Sequence, residues 1–174
     1  MTPSVQVSVE EYLSTVYEPE CEYVEGELID RNVGESDHSA LQGIVFGTLL
    51  GQRRATGVHI FPELRVQVAA RRFRVPDIAV TTSKIKGRIL REPPFLCIEV
   101  LSPEDRASRL LVKINDYFAF GVRYVWVIDP EEKTGWSYTS DGKRESATVL
   151  TTDSPRLTLN ISEVFAALEE DIEP

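Results

Sequence analysis

Three side chains in the middle of this sequence have types suited to chemistry at a phosphate: Asp77 in VPDIAV, Glu99 in LCIEVL, and Lys113 on the segment that follows. Glu99 is the most demanding. It lies inside PFLCIEVLSPEDR, residues 94 to 106, with apolar neighbours on both sides. An ionised carboxylate taken out of water costs roughly several kcal/mol unless a cation or hydrogen-bond donors receive it. If the strands carrying Asp77 and Glu99 pair, their carboxylates converge, and hard oxygen ligands of that kind suit Mg²⁺ or Mn²⁺. Such an ion would supply the positive charge that Glu99 needs. A lysine beside it would hold the attacking water or steady the charge that develops on a phosphate. Plainer readings exist for each residue. Asp77 follows Pro76 and could only shape the start of a strand. Glu99 could sit in a buried ion pair with Arg74 or Arg106, and Lys113 alone would be a solvated helix lysine.

These residues need elements to carry them. Ser8 and Glu11 form a capping-box pattern that predicts a helix over 8–16. EYVEGELIDR reads as a hairpin turning near Gly26. The segment from Glu35 to Thr56 has Leu41, Ile44, Val45, Thr48 and Leu49 at helical spacing and Ser36 as its cap. After Gly57 come VHIFPELRVQV, FRVPDIAVT and PFLCIEVL, β-branched runs of strand length. A helix is expected from Ser102, with Pro103, Glu104 and Asp105 in its first turn and Gly121 at its end. Leu110, Leu111, Ile114, Tyr117 and Phe118 would form its apolar face. RYVWVIDP is another buried strand, followed by WSYTS, a turn at Asp141 and Gly142, a strand near ATVLT, and a terminal helix ISEVFAALEE. Strands apolar on both faces and alternating with helices predict the mixed α/β class, a central sheet covered by helices.

The chain has 174 residues, which fits one domain over 1–174, with frayed tails expected at about 1–7 and 171–174. Met1 to Glu10 does not resemble a signal peptide. No apolar run approaches the roughly 18 residues needed to cross a bilayer, so a soluble, cytoplasmic protein without membrane partners is expected. Cys21 and Cys97 lack a CxxC partner, which argues against a zinc site or a disulfide framework. The net charge of −9 argues against gripping nucleic acid by bulk electrostatics. Arg71, Arg72 and Arg74 just before Asp77, however, and Lys84, Lys86, Arg88 and Arg91 after it, are expected to border the chemistry.

VPDIAV at 75–80, IEVLSPEDR at 98–106, KINDY at 113–117 and GVRYVWVIDP at 121–130, with GELI at 26–29 and His38, resemble the PD-(D/E)xK nuclease superfamily. Within it they are most similar to the Uma-two family, small bacterial proteins grouped with the restriction endonucleases. The resemblance covers roughly residues 10 to 130. It implies a restriction-endonuclease-like fold with a four-stranded mixed core sheet, a divalent metal (Mg²⁺ or Mn²⁺) on Asp77 and Glu99, Lys113 as the lysine of the site, and hydrolysis of DNA phosphodiester bonds. A two-fold homodimer follows by the same analogy. The superfamily spacing would put the lysine at 101, where this chain has Leu101, so the lysine is relocated to Lys113 on the following helix. Accessory candidates are Glu22, Glu25 and Glu27 around Gly26 as a third carboxylate, His38 in a capping or catalytic role, and Tyr117 as core packing or an orienter of the lysine. Trp126 reads as sheet core and Trp136 as a surface or dimer-contact aromatic.

The missing lysine at 101 and the acidic charge also motivate a rival from another class: a catalytically degenerate nuclease fold serving as a binding or assembly module. A third reading, cleavage of RNA or another phosphodiester, ranks below both.

Overall fold

Proline decides where the strands break. FRVPDIAVT reads as one strand, but Pro76 has no N–H to give a ladder. The computed structural model, which describes residues 6–31, 36–102, 107–142 and 144–172, divides the stretch there into β5 (Arg72–Arg74) and β6 (Ile78–Thr81). VHIFPELRVQV divides likewise into β3 (His59–Pro62) and β4 (Val66–Ala69), with Glu63 at φ 49° between them. In both cases the two halves enter different sheets, which corrects the reading of each as a single strand.

The first sheet is built on the hairpin of β1 (Cys21–Val24) and β2 (Glu27–Asp30). Its turn residues Glu25 and Gly26 have φ of 51° and 101°, the positive values a two-residue hairpin of this hand requires. Its strand order is β2-β1-β5-β4. The second sheet contains β7 (Leu96–Val100), β8 (Tyr124–Asp129), β9 (Thr134–Thr139) and β10 (Arg144–Ser146), in the order β10-β9-β8-β7-β6-β3. Its neighbours are antiparallel except β7 and β8. The resemblance implied a four-stranded core sheet; among the described residues the sheet has six strands, because β3 and β10 extend β6, β7, β8 and β9 at the two edges. A small hairpin, β11 (Val149–Thr151) with β12 (Thr158–Asn160), completes the strands.

The helices are α1 (Val9–Ser14), α2 (Ser36–Thr56), α3 (Ala107–Phe120) and α4 (Ile161–Asp171). Ser8 caps α1 by accepting from the Glu11 N–H, as the capping box predicts. Ser36 is the first described residue of α2, whose buried stripe is Leu41, Val45 and Leu49. Asn160 caps α4. The expected first turn of α3 at Pro103, Glu104 and Asp105 lies outside the described residues, as do 1–5 and 173–174. Val7, expected within a frayed tail, donates its N–H to the Gly26 carbonyl and packs beside Tyr23.

Side-chain alternation along β7 and β8 divides the core in two. Ile78, Val80, Leu96, Ile98, Val100, Trp126 and Ile128 face the layer of α2 and α4. Cys97, Val125 and Val127 face the other way, toward Ile114 and Tyr117 of α3 and Val66 and Val68 of β4. This double coverage explains the near-continuous apolar runs of the two central strands. Leu111, expected on the apolar face of α3, is 51% exposed, and Val112 beside it is 52% exposed. Trp126 is sheet core, and Trp136 is half-buried with the Arg144 guanidinium 3.7 Å from its ring centre.

Among the described residues no helix is long and apolar enough to cross a membrane.

Candidate active site

Antiparallel pairing of β6 with β7 sets Ile78 opposite Ile98. One step outward Asp77 therefore faces Glu99, and directly opposed residues of an antiparallel pair project to the same side. For Glu99 that is the side of Cys97, where α3 lies. The carboxylates thus converge because a proline ends one strand where the register brings it opposite a glutamate on the next.

Both acids are buried: Asp77 is 4% exposed and Glu99 5%. Each has found donors. Asp77 Oδ2 accepts from the Val100 N–H at 2.8 Å, and its Oδ1 accepts from Arg31 at 2.8 Å. His38, in the first turn of α2, sets its Nε2 3.4 Å from Oδ2. Gln42 one turn later donates to the Asp77 backbone carbonyl at 3.0 Å. Glu99 Oε2 accepts from the Lys113 ammonium at 2.8 Å, and Oε1 from the Tyr117 hydroxyl at 2.6 Å. The lysine on the helix after β7 therefore does reach the carboxylate, and Tyr117 orients Glu99 rather than the lysine.

A third acid comes from the other sheet. Glu22 on β1 is 4% exposed; its Oε1 lies 3.1 Å from Lys113 and accepts from the Val75 N–H, while Oε2 accepts from Arg74 at 2.7 Å. Arg74 in turn reaches Asp116 of α3 at 2.6 Å, and Arg72 binds the other oxygen of that carboxylate. Arg74, weighed above as a partner of Glu99, is thus committed to Glu22 and Asp116; Arg106 lies outside the described residues. Of the other hairpin acids, Glu27 is exposed on the cleft wall, and Glu25 pairs with Arg71 and Arg72 away from Asp77.

Arg31, which guards Asp77, and Asp116 were not anticipated. Nothing around Arg31 in the sequence marks it, because its partner is 46 residues away. Asp116 carried a usable signal: Lys113, Asp116 and Tyr117 stand at i, i+3 and i+4, so they share one face of α3.

The local electrostatics follow from burial against charge. Burial raises Glu99 most; although the Lys113 ammonium opposes this, Asp77 and Glu22 add to it, and the carboxyl is pushed up to about 7. Burial would also raise Asp77, but the His38 hydrogen bond and the charges of Lys113, His38 and Arg31 outweigh it and hold Asp77 below its ordinary value. Glu22 is lowered in the same way, with burial overcome by Lys113, Arg74 and the Val75 N–H. Burial would lower Lys113, yet Glu22, Glu99 and Asp77 together raise it well above an ordinary lysine. The ammonium stays charged.

Lys84, Lys86, Arg88 and Arg91 do not border this site. Asp77 precedes β6 and Glu99 is one residue from the end of β7, whereas these cations lie in the connection between the other ends of the two strands.

The acids open onto a cleft of about 560 Å³ between the two sheets, lined by residues including Glu22, Arg31, His38, Asp77, Glu99 and Lys113. Its donor set fits a hard divalent cation in one specific manner. Among the described residues no three acid, histidine or cysteine side chains form a closed cage, and Glu22, Asp77 and Glu99 all give both oxygens to protein donors. Asp77 and Glu99, however, each use only part of the roughly four lone-pair sites of a carboxylate. Mg²⁺ is commonly held by one or two carboxylates, with water and substrate phosphate completing its shell. Two opposed carboxylates on a cleft meet that requirement.

The family model described as "Putative restriction endonuclease", Uma2, matches residues 9–173. A crystal structure from Anabaena variabilis ATCC 29413, described as a putative nuclease, superposes with a TM-score of 0.83 at 26% sequence identity, covering 93% of this chain and 99% of that one. No curated protein matches the chain.

Proposed function

Because the chain belongs to the "Putative restriction endonuclease" family Uma2, we propose that it is a metal-dependent endonuclease that hydrolyses phosphodiester bonds of DNA, acting as a homodimer. The observation that carries this reading is the convergence of Asp77, Glu99 and the Lys113 ammonium at one cleft.

Asp77 and Glu99 would hold Mg²⁺ or Mn²⁺, which when bound activates water and withdraws charge from the phosphate. The remaining work falls to the protein's own groups. Lys113 is raised by the carboxylates of Glu22, Glu99 and Asp77, which favours its charged form. Its place is to face the negative charge that grows on the phosphate oxygens, a stabilisation strengthened by the buried setting. Tyr117 holds Glu99 by one oxygen, so the other can be shared with the lysine. The Val100 N–H and Gln42 fix the side chain and backbone of Asp77. Glu22 supplies the lysine with a second anion from the neighbouring sheet, which keeps the ammonium centred when Glu99 is otherwise engaged.

The test is plasmid cleavage in Mg²⁺ or Mn²⁺ by the natural protein and by Asp77→Ala and Glu99→Gln. Both substitutions are expected to reduce cleavage at least 100-fold. Equal nicking by all three proteins would reject the assignment. One observation favours the rival reading, a binding module without catalysis: the Arg31 guanidinium already lies 2.8 Å from Asp77. Calorimetry with Mn²⁺ separates the two, since the nuclease reading requires binding that is lost on Glu99→Gln and the rival requires none.

A further inference from the structure

We propose that the connection between β6 and β7, residues 82–95, is a docking track for a nucleic-acid backbone, separate from the catalytic cleft. The inference rests on the reading of that cleft as a phosphodiester-cleaving site and names where its polyanionic substrate is held.

The cleft cannot supply the required charge itself. Six carboxylates and four cations line it, and three of those cations, Arg31, Arg74 and Lys113, are already bonded to carboxylates. The whole chain carries −9. A nucleic acid brought to this site gains little attraction from its walls, so a compensating surface must lie elsewhere on the molecule.

The connection has the composition and the anchoring for that role. In KIKGRILR, residues 84–91, the apolar and charged residues separate by direction. Leu90 is buried and Ile85 packs with it against the layer of α3, while Ile89 packs against Tyr12, Tyr23 and Phe73. Lys84, Lys86, Arg88 and Arg91 are all exposed. The backbone is tied to β4 and the residue before it by two hydrogen bonds, Gln67 N–H to the Leu90 carbonyl at 2.9 Å and Leu90 N–H to the Arg65 carbonyl at 3.0 Å. Arg91 donates to the Gln67 side chain. Lys84, Lys86 and Arg88 form no ion pair with a described residue. Their charges are held outward on a fixed support and not neutralised, unlike those of the cleft.

Position adds a length requirement. From Glu99 to the start of β7 at Leu96 is three residues, roughly 10 Å of strand, before the connection begins. A substrate must therefore extend several nucleotides from the scissile bond to touch both places.

The test is anisotropy of a fluorescein-labelled 20-base-pair duplex, titrated with the full chain in EDTA at several salt concentrations. Each neutralised phosphate contributes about 0.9 to the slope of log K against log salt. For Lys84→Gln/Lys86→Gln/Arg88→Gln the slope is expected to flatten by about 2 to 3, with affinity at low salt reduced more than tenfold. The charge-keeping Lys84→Arg/Lys86→Arg/Arg88→Lys should restore both, and neutralising the exposed Arg53 and Arg54 of α2 should change neither. Unchanged slope and affinity in the triple variant would overturn the proposal. So would a triple variant whose defect is a change in solution mass, which would make the connection a contact between copies of the acidic chain. Should cleavage be absent from every protein while the slope still flattens, the nuclease reading fails and the docking track stands.

Discussion

Glu99 is the carboxyl of this site that burial pushes up. A carboxyl pushed up from its ordinary 4.5 to about 7 takes up a proton on folding at intermediate pH. The unfolded chain ionises freely above pH 4.5 and the metal-free folded protein does not, so this group's contribution falls as pH rises from about 4.5 to about 7 and is level beyond. The shift corresponds to something on the order of 3 kcal/mol. Asp77 and Glu22, both lowered, act in the opposite sense: their contribution is present above their ordinary values and is lost as pH falls from these through the lowered folded values. The metal-free protein should accordingly be most stable near pH 5. Denaturant titrations of Glu99→Gln in EDTA should lose most of the decline between pH 5 and 7 while retaining the loss below pH 4. A decline of unchanged depth would show that the proton is taken up elsewhere.

At the scale of the element, α3 does two jobs that conflict in composition. Its inner face must be apolar to cover β7 and β8, yet Lys113, Asp116 and Tyr117 carry polar heads on that face to Glu22, Arg74 and Glu99. The compromise depends on where the helix stops. Gly121 takes φ of 109° and donates to the carbonyls of Tyr117 and Phe118, and a Cβ there would stand 3.1 Å from Pro93. Gly121→Ala should therefore destabilise the protein by about 1–2 kcal/mol, through left-handed strain and the proline contact. A thermal melt should register this as a drop of several degrees. A drop in melting temperature with catalysis per folded molecule unchanged would place Gly121 in stability alone; a melting temperature equal to that of the natural protein would contradict the strained geometry.

At the scale of the molecule, charge is sorted. The cleft between the sheets encloses compensated ions, the connection at 82–95 carries exposed cations, and the chain as a whole is acidic. Cleavage of both strands of a duplex by one cleft per chain calls for two chains related by a two-fold axis. Light scattering on a sizing column should give about twice the 19.6 kDa of the chain. A mass of one chain at micromolar concentration would remove the dimer from the proposal and leave single-strand nicking as the expected product.

Much was legible without coordinates because it is local. Capping chemistry marks α1, the hairpin turn marks β1 and β2, and helical spacing marks α2. A glutamate within an apolar run is anomalous wherever it is read, so Glu99 and its need for a cation could be inferred from neighbours alone. What tertiary structure decided is everything that depends on partners distant in the chain. The register of β6 on β7 made Asp77 face Glu99; folding of one sheet against the other delivered Glu22 and Arg74, and sent Arg31 to Asp77. The same topology carried Lys84 to Arg91 away from the chemistry they adjoin in sequence. Charges attract through space, and a linear order of residues records none of the distances on which that attraction depends.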